Sequence, residues 1–223
     1  MHNWVKILVK LKWHGHACFE ITNEVTVVFD PHDGSSLGLP RPEVKADLVL
    51  LSHGHFDHAG GVNFVSKPDS VIIDKPGVYD VKGVKVKGIP TFHDKSRGLR
   101  RGSNTVFVVD FEGIRFVHLG DLGHILSEGQ VEDIDGVDVL FVPVGGVYTI
   151  DAGEATEIVG LLKPKIAIPM HYAVPGLSLP IASVEDFVRN KVGVRRFASS
   201  EVEITREFLP SETEIWVLAP PSR

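Results

Sequence analysis

Over the first thirteen residues apolar and polar positions alternate. Val5, Ile7, Val9, Leu11 and Trp13 fall on one side, and Lys6, Lys10 and Lys12 on the other. A period of two predicts a half-buried strand. Further strands are predicted over Glu24–Asp30, Ala46–Leu51, Ser70–Ile73, Val78–Val81 and Val84–Ile89, the last two joined by a turn at Lys82-Gly83. Asn104–Phe111 and Ile114–Leu119 read as a hairpin around Glu112-Gly113, and Val137–Val142 and Lys165–Pro169 as buried strands. Ile204–Phe208 and Glu214–Leu218 read as closing strands. Helices are fewer. One short helix opens at Gly60-Gly61 and runs to Val65. A second is capped by Asp151 with Glu154 three residues on and runs through Leu162 to Lys163-Pro164. A third covers Val184–Lys191. Strand-rich blocks with few helices predict an α/β (α+β) architecture of two sheets with helices outside.

Composition narrows this picture. The 223 residues suit one large domain spanning 1–223, and a hydrophobic share of 43% supports a substantial core. A net charge of −6 disfavours a nucleic-acid protein that binds by bulk charge. No apolar run approaches a membrane span, and the lysines of the first strand break any leader-like core. With Cys18 alone there is no internal disulfide, so a cytoplasmic setting is expected. Self-association is left open.

The strand Ala46–Leu51 runs directly into Ser52-His-Gly-His-Phe-Asp-His58. Three imidazoles and a carboxylate in six residues form a compact donor set for borderline-hard divalent metals. In an extended segment His53, His55 and Asp57 project to one side and His58 to the other. A turn at the strand's end would then divide the four between two neighbouring ions. The two histidines are two residues apart, which excludes the helical His-Glu-x-x-His arrangement. Four donors cannot close two sites, so more are required. Three candidates follow the ends of other apolar strands: His93 in Pro-Thr-Phe-His, Asp121 in His-Leu-Gly-Asp, and His171 in Pro-Met-His. Sites in layered α/β folds gather at such strand ends.

In the order and type of these groups the chain resembles the metallo-β-lactamase superfamily. The resemblance spans residues 13–172. Trp13-His-Gly-His16-Ala-Cys-Phe19 and Asp30-Pro31 look like its compact single-domain branch of Zn-dependent hydrolases, which includes ascorbate-6-phosphate lactonase. It implies a four-layer αββα sandwich and two divalent ions per chain, zinc first, with manganese or iron as alternatives. One ion would take His53, His55 and His93, the other Asp57, His58 and His171, and Asp121 would bridge them. A metal-bound hydroxide would attack an ester, lactone, amide or phosphodiester, with Asp57 as the catalytic proton carrier.

Around these seven, His14 and His16 are expected at the pocket rim, and Asp30 behind a ligating histidine. Arg100 and Arg101 lie in the basic loop after His93, which also holds Lys95 and Arg97 and suits a small anionic substrate. Tyr172 and Tyr148 are candidates to steady an oxyanion. His118 and His124 flank Asp121, and His2 and His32 are expected to face solvent. Two other readings share the fold. Diiron redox relatives usually carry Glu where this chain has His55, and nucleases of the superfamily often carry a large insert, for which the 49 residues between Asp121 and His171 leave no room.

Overall fold

The computed structural model describes residues 7–222; Val5, Lys6 and His2 lie outside the described residues. The chain opens on β1 (Val9–Trp13), β2 (Phe19–Thr22), β3 (Thr26–Phe29) and β4 (Ala46–Leu50). Two single-turn helices, α1 (Phe56–Ala59) and α2 (Val62–Val65), precede β5 (Ser66–Ile73), β6 (Gly77–Val81), β7 (Val84–Phe92), β8 (Ser103–Phe111) and β9 (Ile114–His118). The remainder runs α3 (Glu128–Ile134), β10 (Val139–Pro143), α4 (Ala152–Leu162), β11 (Ile166–Met170), α5 (Val184–Val188), β12 (Val194–Arg196), β13 (Glu201–Ile204) and β14 (Glu214–Val217).

The strands form two mixed sheets, six-stranded in the order β13-β1-β2-β3-β4-β5 and eight-stranded in the order β12-β14-β11-β10-β9-β8-β7-β6. Their inner faces share one apolar core. Phe19 of β2 stacks on Phe141 of β10 at 4.1 Å, and Phe29 of β3 meets the same ring at 5.8 Å. On the outer face of the first sheet, Val65 of α2 packs with Val28, Val49 and Cys18. Ala155, Ile158 and Leu162 of α4 join the main core beside the second sheet. The layering is αββα, with helices on the outer faces of two packed sheets.

Strand direction sets where the chemistry lies. β1 is antiparallel to β2, and β2 to β3, so β1 and β3 share a direction, which parallel pairing extends to β4. In the other sheet β9, β10 and β11 are parallel, and two antiparallel steps through β8 give β7 the same direction as β9.

Several elements differ from the sequence-based expectation. Phe19–Thr22, Val194–Arg196 and the helix Glu128–Ile134 form where none was expected. Ser127 and Gln130 make a reciprocal cap that starts this helix, a Ser-x-x-Gln signal present in the sequence. The closing strand is Glu201–Ile204, whose Val202 and Ile204 alternate with glutamates, while Arg206–Phe208 turns as a 3-10 helix. The helix expected from Gly60-Gly61 to Val65 is α2, with Gly61 as its N-cap, and an additional single turn, α1, precedes it from Phe56 with His55 as its extended N-cap.

Phe141 is fully buried between the sheets. Phe141→Ala should cost about 3–5 kcal/mol in urea unfolding. A loss below about 1 kcal/mol would mean the inter-sheet core closes around the cavity.

Candidate metal centre

The loops after β1, β3, β4, β7, β9 and β11 leave at one edge of the two sheets. These carry His16, Asp30, the 53–58 run, His93, Asp121 and His171 respectively. The additional turn α1 begins within the 53–58 run. His53 lies in the bend after β4, and His55 keeps an extended backbone as the N-cap of α1. Asp57 and His58 sit in the first turn of the helix, with the His58 ring 4.3 Å from that of His53. The turn expected at the strand's end is thus a single helical turn, and Asp57 and His58 lie on it together.

Behind the run, Asp30 occupies a left-handed backbone conformation and is almost fully buried. Its Oδ1 accepts the Ser52 backbone N–H at 2.7 Å; its Oδ2 accepts the Ser52 hydroxyl at 2.6 Å and His58 Nδ1 at 2.8 Å. Ser52 Oγ, its proton spent on Asp30, lies 3.0 Å from His53 Nδ1 and accepts from it. One carboxylate thereby fixes two imidazoles in the tautomer whose Nε2 lone pair faces inward. Asn104 performs the equivalent task for the next loop. Its amide donates to Thr91 and the Leu119 carbonyl, and its Oδ1 accepts the Asp121 backbone N–H at 2.9 Å. Gly120 turns here with φ of 57°, and a Cβ on it would collide with Asn104 Oδ1 and Ser52. Only glycine fits this approach.

Asp121 is the centre of the arrangement. Its Oδ2 lies 3.1 Å from His93 Nε2 and 3.9 Å from His53 Nε2. Its Oδ1 lies 3.1 Å from His58 Nε2 and 3.4 Å from His171 Nε2. His53 Nε2 and His55 Nδ1 are 2.9 Å apart, and Asp57 Oδ2 is 3.7 Å from His58 Nε2. Donor atoms gather in three overlapping groups, each within 4.8 Å: His53, His55, His93; His53, His58, Asp121; and His16, Asp57, His58, His171. Two atoms bound to one ion at about 2.0–2.2 Å stand roughly 3.0–3.5 Å apart, so most of these separations suit shared ions. His58 Nε2, His171 Nε2 and Asp121 Oδ1 are sealed from solvent without a hydrogen bond of acceptable geometry, although His58 and Asp121 are in close range. Buried unpaired polar atoms are costly, and a cation among them removes the cost. The donor set fits divalent metal.

The electrostatics are those of a strongly coupled pocket. Burial alone would raise the Asp121 carboxyl, yet the facing His171 and His58 hold it well below the usual range. Burial lowers His53 to about 3, assisted by His58. His58 goes the other way: against burial, Asp121 and Asp30 raise it well above the ordinary imidazole value.

The other candidates divide. His14 pairs with Glu20 at 2.8 Å, apart from these donor groups. His16 does enter them. His32, expected at the surface, is fully buried and bonds the His14 carbonyl through Nε2. His118 accepts the Gly120 N–H at Nδ1 and donates Nε2–H to the Ala17 carbonyl, a strut between sheets. His124 is taken up by Phe92 N–H and the Ile125 carbonyl. Tyr172 is buried against Trp13, with ring centroids 5.2 Å apart. In the basic loop, Asp94 accepts four backbone N–H groups, from Ser96, Gly98, Arg100 and Arg101. Arg101 reaches across to the Val147 carbonyl and over the Tyr148 ring, Lys95 pairs with Glu154, and Arg100 is exposed.

The family model described as "Beta-lactamase superfamily domain" matches residues 10–171. The chain belongs to the beta-lactamase superfamily. Among relatives of this superfamily member is a UPF0173 metal-dependent hydrolase of Thermoplasma acidophilum, 33% identical over 187 residues, covering 74% of this chain and 83% of the relative. Another, from Carboxydothermus hydrogenoformans, is 34% identical over 193 residues, with 74% and 84% covered. A crystal structure of a candidate Zn-dependent hydrolase of the metallo-beta-lactamase superfamily from Thermotoga maritima superposes with a TM-score of 0.80. It is 42% identical and covers 96% of this chain and 100% of that one.

The close approach at Gly120 makes the centre sensitive to one methyl group. Gly120→Ala should lower unfolding free energy by about 2 kcal/mol or more. An unchanged urea midpoint would show that the Asn104–Ser52 wall yields to a side chain.

Proposed function

We propose that this chain is a cytoplasmic hydrolase working with two divalent ions, zinc foremost, on a small anionic ester, lactone, amide or phosphodiester. The observation that carries the reading is the division of Asp121: one oxygen faces His93 and His53, the other His58 and His171. A single carboxylate shared by two imidazole sets is the expected protein half of a bridged pair of ions. His53, His55 and His93 would hold one and Asp57, His58 and His171 the other. The ion pair, when bound, supplies a hydroxide nucleophile at neutral pH and polarises the scissile oxygen.

The chain's own residues supply the rest. Asp57, its side chain 12% exposed, lies at the pocket and would take the nucleophile's proton and deliver it to the leaving group. Asp30 and Ser52 hold His58 and His53 in the ligating tautomer. Arg100 would meet an anionic substrate at the rim, while Arg101 is already bound to Val147 and Tyr148 and shapes the loop. The imidazole of His55 supports hydrolysis over diiron redox chemistry. No helix among the described residues is long and apolar enough to cross a membrane.

Elemental analysis should find close to two metal ions per purified chain. Exhaustive chelation should abolish hydrolysis across a panel of lactones, thioesters and phosphodiesters, and metal should restore it. Undiminished turnover in the chelated protein would refute the reading. Asp57→Asn should lower kcat by about 10²–10⁴-fold with KM little changed; loss confined to KM would remove the proton-carrying role. Asp30→Asn should weaken metal binding by about 10–100-fold in a competition titration. Wild-type affinity in that variant would make Asp30 a fold residue only.

A further inference from the structure

His16 stands apart from the seven expected donors, because neither its spacing nor the expected division of the donors calls for it. It is 1% exposed and adopts φ of 53°. Its backbone is pinned: the carbonyl accepts Trp13 Nε1–H at 3.0 Å and the His171 backbone N–H at 3.2 Å. Two loops from different sheets are thus joined backbone to backbone. Their imidazoles lie side by side, with centroids 4.2 Å apart, and the His16 ring is 5.1 Å from that of His58.

Which oxygen His16 meets decides its role. His16 Nε2 lies 3.1 Å from Asp57 Oδ2, the same oxygen that faces His58 Nε2 at 3.7 Å. A residue that merely steadied Asp57 would hold the outer oxygen, as Asp30 holds the far nitrogen of His58. His16 instead addresses the inner oxygen, at a separation suited to neighbouring donors on one ion. It shares with His93 and His171 the combination of a deeply buried ring and an Nδ1 without a hydrogen-bond partner in the protein. Its group with Asp57, His58 and His171 is buried at every member, whereas His55 of the first group is exposed.

We propose that His16 Nε2 is an additional metal ligand of the second position, a proposal that rests on the two-ion reading above. That position then has five protein donors: His16, Asp57, His58, His171 and Asp121. The first has four: His53, His55, His93 and Asp121. Five donors suit an ion that accepts five or six ligands and exclude a tetrahedral one, so the two positions differ in coordination and affinity. The second is the closed, tight position. The first, with His55 at the surface, keeps room for substrate oxygen.

Cobalt(II) titration of the metal-free full-length chain, read by visible absorption and elemental analysis, tests this. The wild type should take up two ions in unequal steps, with the tight step giving the weak bands of five- or six-coordinate cobalt. His16→Ala and His16→Asn should both lose that step, weakening it at least about 100-fold and leaving about one ion where the wild type holds two. Asparagine is decisive, because its amide can still donate to Asp57 but is a poor ligand. Retention of two ions with the wild-type spectrum in His16→Asn overturns the proposal and leaves the two-ion reading intact. Uptake of no cobalt by the wild type would sink both. Should the variants fail to fold, a crystal structure of the cobalt-loaded wild type decides: an ion about 2.0–2.2 Å from His16 Nε2 is expected, and one beyond bonding reach overturns it.

Discussion

The structure depends on the placement of one carboxylate. Asp121 is 2% exposed and sits among four imidazoles, with each oxygen turned to a different pair. Neither the buried charge nor the inward lone pairs are tolerable alone. Together they are a cavity for positive charge, and the surrounding fold is arranged to hold that cavity open. The sheets contribute by sending strands from both layers out at the same edge. The apolar core contributes by fixing the sheets, so that loops from β1, β3, β4, β7, β9 and β11 arrive within coordinating distance of each other.

A second layer keeps the donors aimed. Asp30 orients His58 directly and His53 through Ser52, while Asn104 holds the backbone of Asp121. The backbone bond between His16 and His171 ties a loop of one sheet to a loop of the other. Bound groups at such a centre inherit the rigidity of two packed sheets, which is what pre-organised electrostatic catalysis requires. Rim residues are less committed: Arg100 is exposed, and the loop that carries it is built on the single carboxylate of Asp94.

Much of this was legible in the sequence. The alternation in β1 and the apolar runs of β4, β10 and β11 located strands, and the ligand-type residues just past strand ends are those whose donor atoms gather at one edge. The illegible parts have local physical causes. His14 and His16 flank one glycine, and only the left-handed turns at Gly15 and His16 decide which imidazole goes inward and which goes to Glu20. His32 follows Pro31 in a loop that looks like surface, yet tertiary packing buries it under the His14 carbonyl. The turn α1 from Phe56 is helical, and four residues are too short a stretch for a helical period to be read. Short strands such as Val194–Arg196 carry too few residues for a pattern.

The central claim is that two ions share Asp121. Electron paramagnetic resonance of the chain loaded with two equivalents of manganese(II) tests it most directly. The account predicts the hyperfine pattern of an exchange-coupled pair, collapsing to isolated-ion signals in Asp121→Ala. Two uncoupled ions in the wild type, or coupling that survives loss of Asp121, would contradict it.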